Sequence, residues 1–207
     1  MVVVTSTRAR RPLLEWSTVA VPARGAKVTG DLYMMRSVPR GTMIAVVDGA
    51  GRGPEAAAAA ELALRTIENH FREDPAALVR RCHRELQGTR GAVLGLAVFH
   101  SDTPSLAWIG VGSVCGVLVR RRTSERQLLL TRNGLVGCTL PALRESVSTL
   151  GHGDVLVLTT DGIRQEFVDD LRAGVPVSRI TSGIAARYSK SGDDRLVIAA
   201  RYLGRTE

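Results

Sequence analysis

Four aspartates in this chain each stand beside a glycine, at or near the end of an apolar or strand-like segment. The pairs are Gly30-Asp31, Asp48-Gly49, Asp161-Gly162 and Gly192-Asp193. Asp48 follows Met43-Ile44-Ala45-Val46-Val47, and Asp161 follows Val155-Leu156-Val157-Leu158-Thr159-Thr160. Asp193 precedes Arg195-Leu196-Val197-Ile198-Ala199-Ala200. A strand delivers its last side chain to a fixed place, and a glycine beside it lets backbone and ligand approach closely. An acid at the end of a buried strand needs a cation or hydrogen-bond donors to offset its desolvation. Four such acids far apart in sequence point to one hard-metal site built only from oxygen ligands. A single Asp-Gly pair is usually just a turn. The signal here is that all four pairs adjoin apolar segments.

Two carboxylates brought within ~4 Å cost about 4 kcal/mol at a surface-like effective dielectric. Divalent cations remove that repulsion. Two cations sharing a bridging carboxylate can also share a water, which then loses its proton more easily and becomes a nucleophile. The same cations neutralise the oxygens of a phosphoryl group, so such a site would hydrolyse a phosphate ester with no covalent enzyme intermediate.

A chain of 207 residues, 44% hydrophobic and 23% charged, fits one globular domain over residues 1–207. A chain of this size buries roughly 70% of its unfolded surface. No apolar run reaches the ~20 residues a bilayer span needs. Met1-Val2-Val3-Val4-Thr5 lacks the positive start and long apolar centre of a signal peptide. The reading is a cytoplasmic protein with no membrane partner. Cys82, Cys115 and Cys138 form an odd set without CxxC spacing, which argues against a disulfide framework or a zinc site.

The formal net charge is +8, nearly all of the positive charge being arginine. Dense clusters are Arg8, Arg10, Arg11, then Arg80, Arg81, Arg84, then Arg120, Arg121, Arg122. One reading is a nucleic-acid surface. Aromatics are only 4% and none interleave with these clusters, so no stacking platform is visible. A solvated surface, or attraction to an acidic or phosphorylated protein partner, fits better.

Residues 5–12 read as a loose connection behind a short first strand. Strand-like segments follow near 17–21, 27–35 and 42–48. Pro54 suits the first position of a helix, and the alanine run behind it has high helix propensity. Ala60, Leu64, Ile67 and Phe71 give that helix an apolar face. A second helix starts at Pro75, with Val79, Cys82 and Leu86 on one side, and Gly88 ends it. Apolar runs at 92–99, 105–111, 113–120, 127–130 and 154–160 predict a meander of antiparallel strands. Helices over 163–173 and 176–188 and a final strand over 195–202 complete an α+β pattern.

Rival constellations fare worse. Cys115 and Arg121 have the Cys-x5-Arg spacing of cysteine-dependent phosphatases, but the stretch between them is β-prone rather than a glycine-rich anion loop leading into a helix. Gly49-Ala50-Gly51-Arg52-Gly53 lacks the third glycine of a dinucleotide fingerprint, and no GK[ST] follows. Gly112-Ser113 is no nucleophile elbow. His70, His83, His100 and His152 read as solvated or satisfied polar residues.

Gly30-Asp31-Leu32-Tyr33, Val47-Asp48-Gly49-Ala50-Gly51-Arg52-Gly53, Thr160-Asp161-Gly162 and Gly192-Asp193-Asp194 resemble successive motifs of the metal-dependent protein phosphatase 2C superfamily. The short loops and the GDxY form are similar to its bacterial sporulation-type branch. Gly88-Thr89-Arg90-Gly91-Ala92-Val93 and Gly110-Val111-Gly112-Ser113 further resemble the small stressosome-feedback phosphatases of the RsbX type. The resemblance covers about residues 25–203.

It implies a four-layer α-β-β-α sandwich of two antiparallel sheets flanked by helices, with a pair of Mn²⁺ or Mg²⁺ ions at one edge. Carried over by motif, Asp48 would bridge both ions and the Gly49 carbonyl would bind one of them. Asp161 and Asp193 would bind the other. Asp31 would act on or beside the ions, holding metal-bound water, and Asp194 would support the site. Two departures stand out. Arg52 occupies the place of the usual histidine in Gly-His-Gly, where it could help hold a phosphate. The phosphate-clamping arginine of larger members has no clear counterpart, with Lys27 and Arg24 as stand-ins. Asp169 and Asp170 read as solvated helix residues. The implied activity is a protein serine/threonine phosphatase acting on phosphorylated proteins of a stressosome-like complex. A non-catalytic phosphoprotein-binding relative and a basic nucleic-acid-binding protein are the alternatives.

Overall fold

Strands that carry apolar residues at every position must be buried on both faces, and the layers of this protein follow from that. The structure, a computed structural model, describes residues 12–25 and 28–204. The first cluster Arg8, Arg10, Arg11, the short first strand and Lys27 lie outside the described residues.

The chain opens with strands β1 (Leu14–Val21), β2 (Asp31–Val38) and β3 (Gly41–Gly49), then helices α1 (Pro54–His70) and α2 (Pro75–Glu85). Strands β4 (Ala92–His100), β5 (Ser105–Val111), β6 (Cys115–Val119), β7 (Arg126–Leu128) and β8 (Thr131–Arg132) follow. Then come β9 (Ser146–Thr149), β10 (Val155–Thr159), a single turn α3 (Phe167–Asp170), α4 (Val177–Tyr188) and β11 (Arg195–Tyr202). One sheet has the order β1-β11-β10-β6-β7, and the other runs β2-β3-β4-β5-β8 with β9 also on β5.

Strand periodicity sorts the side chains into three apolar layers. Met43, Ala45 and Val47 face α1 and α2, whereas Ile44 and Val46 face the other sheet. Leu156 and Leu158 enter the same inter-sheet core, while Val155 and Val157 pack under α3 and α4. Helix, sheet, sheet, helix is therefore the observed order of layers.

Two expectations need correction. The antiparallel meander after residue 91 breaks: β4 and β5 pair, but β6 crosses to the other sheet and pairs β10, and β5 meets β8 in parallel. The helix over 163–173 shrinks to α3. Its apolar positions Ile163, Phe167 and Leu171 do have helical spacing and are all buried. However, Ile163 bridges Ser189 and Arg164 N–H donates to the Tyr188 carbonyl at 2.8 Å, which commits this backbone to a strand-like contact. The short polar strand β9 is an addition with no apolar run to announce it. Among the described residues no helix is long and apolar enough to cross a membrane.

In the cluster at Arg120, Arg121 and Arg122, the Arg120 side chain is committed to a buried partner. Asp154, 5% exposed, accepts hydrogen bonds from the Arg120 guanidinium at 3.0 Å and from the amides of Arg121 at 2.8 Å and Gly151 at 2.9 Å. Arg120 also donates to the Thr149 carbonyl and Gln127, tying β6 to β9 and β7. Removing one partner of a buried pair strands the other charge. Asp154→Ala should therefore lower the unfolding free energy by about 3 kcal/mol. Arg122→Ala, at an exposed position, should change it by no more than ~0.5 kcal/mol. Urea unfolding measures both, and equal effects would refute the buried-pair account.

Candidate metal centre

The two sheets bring their acid-bearing ends to one edge. Asp31 opens β2 and Asp48 nearly closes β3, and the two face each other in the antiparallel register. Asp161 lies just past the end of β10, and Asp193 and Asp194 just before β11, so both pairs of positions extend beyond the paired strands. Two glycines make this packing possible. A Cβ on Gly49 would stand 1.9 Å from the Ala56 carbonyl oxygen, so the first turn of α1 rests on bare backbone. A Cβ on Gly162 would stand 1.8 Å from the Asp194 carbonyl oxygen, so the loop of Asp161 closes onto that of Asp194. Any side chain at either position would push the acids apart.

The result is a cleft of about 640 Å³ lined by Asp31, Asp48, Asp161, Asp193 and Asp194, with Arg52 and Arg90 on its rim. Protein donors meet some of this charge. The Thr160 hydroxyl donates to Asp31 Oδ2 at 2.6 Å, and the Leu196 amide in turn holds the Thr160 oxygen at 3.1 Å. The amides of Ala23 and Gly30 donate to the two carboxylate oxygens of Asp194 at 2.6 and 2.7 Å. Arg52 approaches Asp193 at 3.4 Å, but its side chain is 71% exposed, so the pair adds little stability.

The remaining charge shows in the acids themselves. Burial, outweighing the Thr160 hydrogen bond and aided by Asp194, Asp161 and Asp193, pushes the Asp31 carboxyl up to about 7. Burial, then the negative charges of Asp31, Asp161, Asp193 and Asp194, pushes Asp48 up to about 8. Such acids call for a cation.

The donor set is all oxygen, which suits Mg²⁺ or Mn²⁺ rather than a thiolate- or imidazole-seeking ion. Among the described residues no three His, Cys, Asp or Glu side chains stand close enough to form a ready-made cage. The residues fit hydrated divalent cations spread through a cleft.

Of the residues singled out from sequence, Asp31, Asp48, Asp161 and Asp193 come together, and Arg52 joins them at the rim. Gly49 is buried beneath the rim and does not line the cleft. Lys27 lies outside the described residues, and Arg24 is on the turn after β1, away from the cleft lining. Asp170 pairs with Arg187 at 3.2 Å on the far side of α4. Cys115 is buried at the start of β6, with its thiol pushed up by burial, and a β-strand separates it from Arg121. Sequence reasoning missed Arg90 and Ser113 as cleft residues. Arg90 donates through Nε to Glu55 at 2.6 Å, and its guanidinium lies against Gly51. It lies within the Gly88–Val93 motif quoted for the family resemblance, but only the fold brings that α2–β4 turn beside the β3–α1 loop.

Known proteins resemble this chain in sequence and fold. The profile of the family "Stage II sporulation protein E (SpoIIE)" matches residues 39–201. "Phosphoserine phosphatase RsbX" of Bacillus subtilis (strain 168) is 22% identical over 171 residues, covering 82% of this chain and 85% of that protein. A crystal structure of RsbX in complex with magnesium superposes with a TM-score of 0.83 at 21% identity, over 91% of this chain and 95% of that one. A structure from work on the bacterial stressosome as a modular system adapted to control secondary messenger signalling gives a TM-score of 0.81 at 27% identity, over 91% of this chain and 99% of that one.

An acid whose carboxyl is raised by folding keeps a proton that the unfolded chain has already lost. Between the ordinary range near pH 4 and about pH 8, the folded chain thus binds more protons, and its stability falls as pH rises. With chelator present, the melting temperature should drop from pH 5 to pH 8, by about 2 to 4 °C for each kcal/mol lost. Asp48→Asn should flatten that slope and be no less stable than wild type at pH 8. Mn²⁺ affinity should run the other way, weakening by up to about tenfold per pH unit below pH 7 for each proton displaced. Calorimetric melts and metal titrations check both, and a steeper slope in Asp48→Asn would contradict the account.

Proposed function

We propose that this chain, which belongs to the SpoIIE family, is a metal-dependent protein serine/threonine phosphatase. Its substrates are phosphoserine- or phosphothreonine-bearing signalling proteins of a stressosome-type complex. The observation that carries the reading is the convergence of Asp31, Asp48, Asp161 and Asp193 in one open cleft, with two of the four carboxyls desolvated. The likeness to phosphoserine phosphatase RsbX and to a stressosome-related structure supports the substrate class.

In this reading Asp48 and the Gly49 carbonyl, together with Asp161 and Asp193, hold two Mg²⁺ or Mn²⁺ ions. When bound, these supply the Lewis acidity that activates water and offsets the charge on phosphoryl oxygens. The chain's own groups do the positioning. Asp31 has Oδ2 committed to the Thr160 hydroxyl, which leaves Oδ1 to orient water and accept its proton. Asp194, fixed by two amides, holds the connection before β2 against the β11 end of the other sheet. Arg52 and Arg90 flank Gly51 and face the cleft, and their guanidinium groups hold phosphoryl oxygens as planar forks. Arg52 is held only by its weak, exposed ion pair with Asp193, which leaves its guanidinium free to turn to that role.

Chelator should abolish hydrolysis of an aryl phosphate, and Mn²⁺ or Mg²⁺ should restore it. Asp48→Ala and Asp193→Ala should each lower kcat by more than about a hundredfold, the largest loss expected for a group that merely supports a metal ligand. Arg90→Ala should raise KM about tenfold, the weight of one charged hydrogen bond. Cys115→Ser should retain most activity. A folded Cys115→Ser that is dead, beside a fully active Asp48→Ala, would overturn the metal mechanism.

A further inference from the structure

A second cavity of about 350 Å³ adjoins the metal cleft and shares two of its walls, Asp161 and Ser113. Its rim carries Arg164 and Lys190. The backbone contact that replaced the expected helix puts them there. Arg164 N–H donates to the Tyr188 carbonyl and Lys190 N–H to the Gly162 carbonyl, each at 2.8 Å, around the bridge between Ile163 and Ser189. In that antiparallel contact Arg164 and Lys190 are diagonal neighbours on the same face, where long side chains still reach each other. Neither forms an ion pair among the described residues, and Arg164 spends one nitrogen on the Arg187 carbonyl at 2.7 Å. Glu166 is the only acid in the lining besides Asp161.

The cavity also holds an unmet polar group. Thr159 Oγ1 is buried, 1% exposed, and reaches no partner within hydrogen-bonding geometry. The Cys115 sulfur on the paired strand is only a weak acceptor, so the hydroxyl proton lacks an oxygen partner. A buried hydroxyl without an acceptor is a cost that an incoming oxygen removes.

We infer that this cavity is a subsite for a carboxylate side chain of the substrate, close in sequence to the phosphorylated residue. With the phosphoryl group in the metal cleft, a peptide crossing Ser113 and Asp161 would place a neighbouring side chain between Arg164 and Lys190. Two cations and a hydroxyl donor select Asp or Glu there over neutral or basic residues. The substrate class is then a phosphoserine or phosphothreonine segment with a nearby acid. This rests on the phosphatase reading for the location of the phosphoryl group.

The test is fluorescence anisotropy with the full chain and labelled peptides. Each peptide has one non-hydrolysable phosphonate analogue of phosphoserine among neutral residues, with a single Glu moved through the three positions on either side, and Mn²⁺ is present throughout. One Glu position should tighten Kd about three- to tenfold, the weight of partly exposed charge pairs. Lys190→Gln should remove most of that gain, and Arg164→Gln should do the same. Melting temperatures check folding, and Lys190→Gln carries the test if Arg164→Gln unfolds. If no Glu position tightens binding, or if Lys190→Gln keeps the full gain, the subsite is refuted. Aryl phosphate turnover by the wild type separates the two ideas. Glu-dependent binding without turnover would overturn the phosphatase reading and leave the subsite. Turnover with indifference to Glu would do the reverse.

Discussion

The constraint on which this molecule depends is that like charges from two different sheets must be held at one edge. Asp31 and Asp48 belong to the β2–β3 side, and Asp161, Asp193 and Asp194 to the β10–β11 side. Each side alone would splay to relieve the repulsion. Two kinds of bond cross the gap. Thr160, next to Asp161, donates to Asp31, and Asp194 accepts the amides of Ala23 and Gly30. Both are neutral donors acting on acids, which secures the geometry without cancelling the charge. Asp194 is thereby satisfied by the protein itself, whereas Asp48 is held only by its place in the strand and rises furthest, to about 8. The protein spends its donors on the acids that align the sheets and leaves the central one to a cation.

Much of this was legible because strand ends and acids coincide in the sequence. The glycines turn out to serve for different reasons. Gly49 and Gly162 permit backbone contacts that no side chain could survive, and Gly192 adopts a positive φ of 77°. Gly30 does neither, since a Cβ there would meet its nearest neighbour at 3.5 Å, an ordinary contact. The four acids do line one cleft, but the glycines beside them do not share one role. Continuous apolar runs correctly marked strands buried on both faces, and the three apolar layers follow from them.

What stayed hidden depended on pairing at a distance. β9 is four residues, Ser-Val-Ser-Thr, and forms only because β5 offers an open edge. The stretch after Asp161 has helical spacing in its buried residues, yet the Arg164 amide donates to Tyr188 and the Gly162 carbonyl accepts from Lys190. Within the arginine clusters, too, some charges have partners that only the fold supplies. Arg120 is anchored on Asp154, Arg81 on Glu73, and Arg201 on Glu15 and the carbonyls of Ala173 and Val175. Arg90, isolated in sequence, reaches the cleft.

The formal charge of +8 therefore does not act as one broad attractive surface. The cleft itself is acidic, and even with protons retained on Asp31 and Asp48 its acids would repel an approaching phosphate dianion. Cations reverse that sign. In the proposed function, metal loading is thus a precondition for phosphate binding as well as for chemistry, and the arginines act after it rather than before. In that reading the ions would convert the acidic frame of the sheets into a receptor for a phosphoryl group, and discrimination between phosphoproteins would fall to the side chains beyond Asp161. Those side chains sit on loops whose positions the frame fixes, so substrate preference can change there without disturbing the acids that hold the ions.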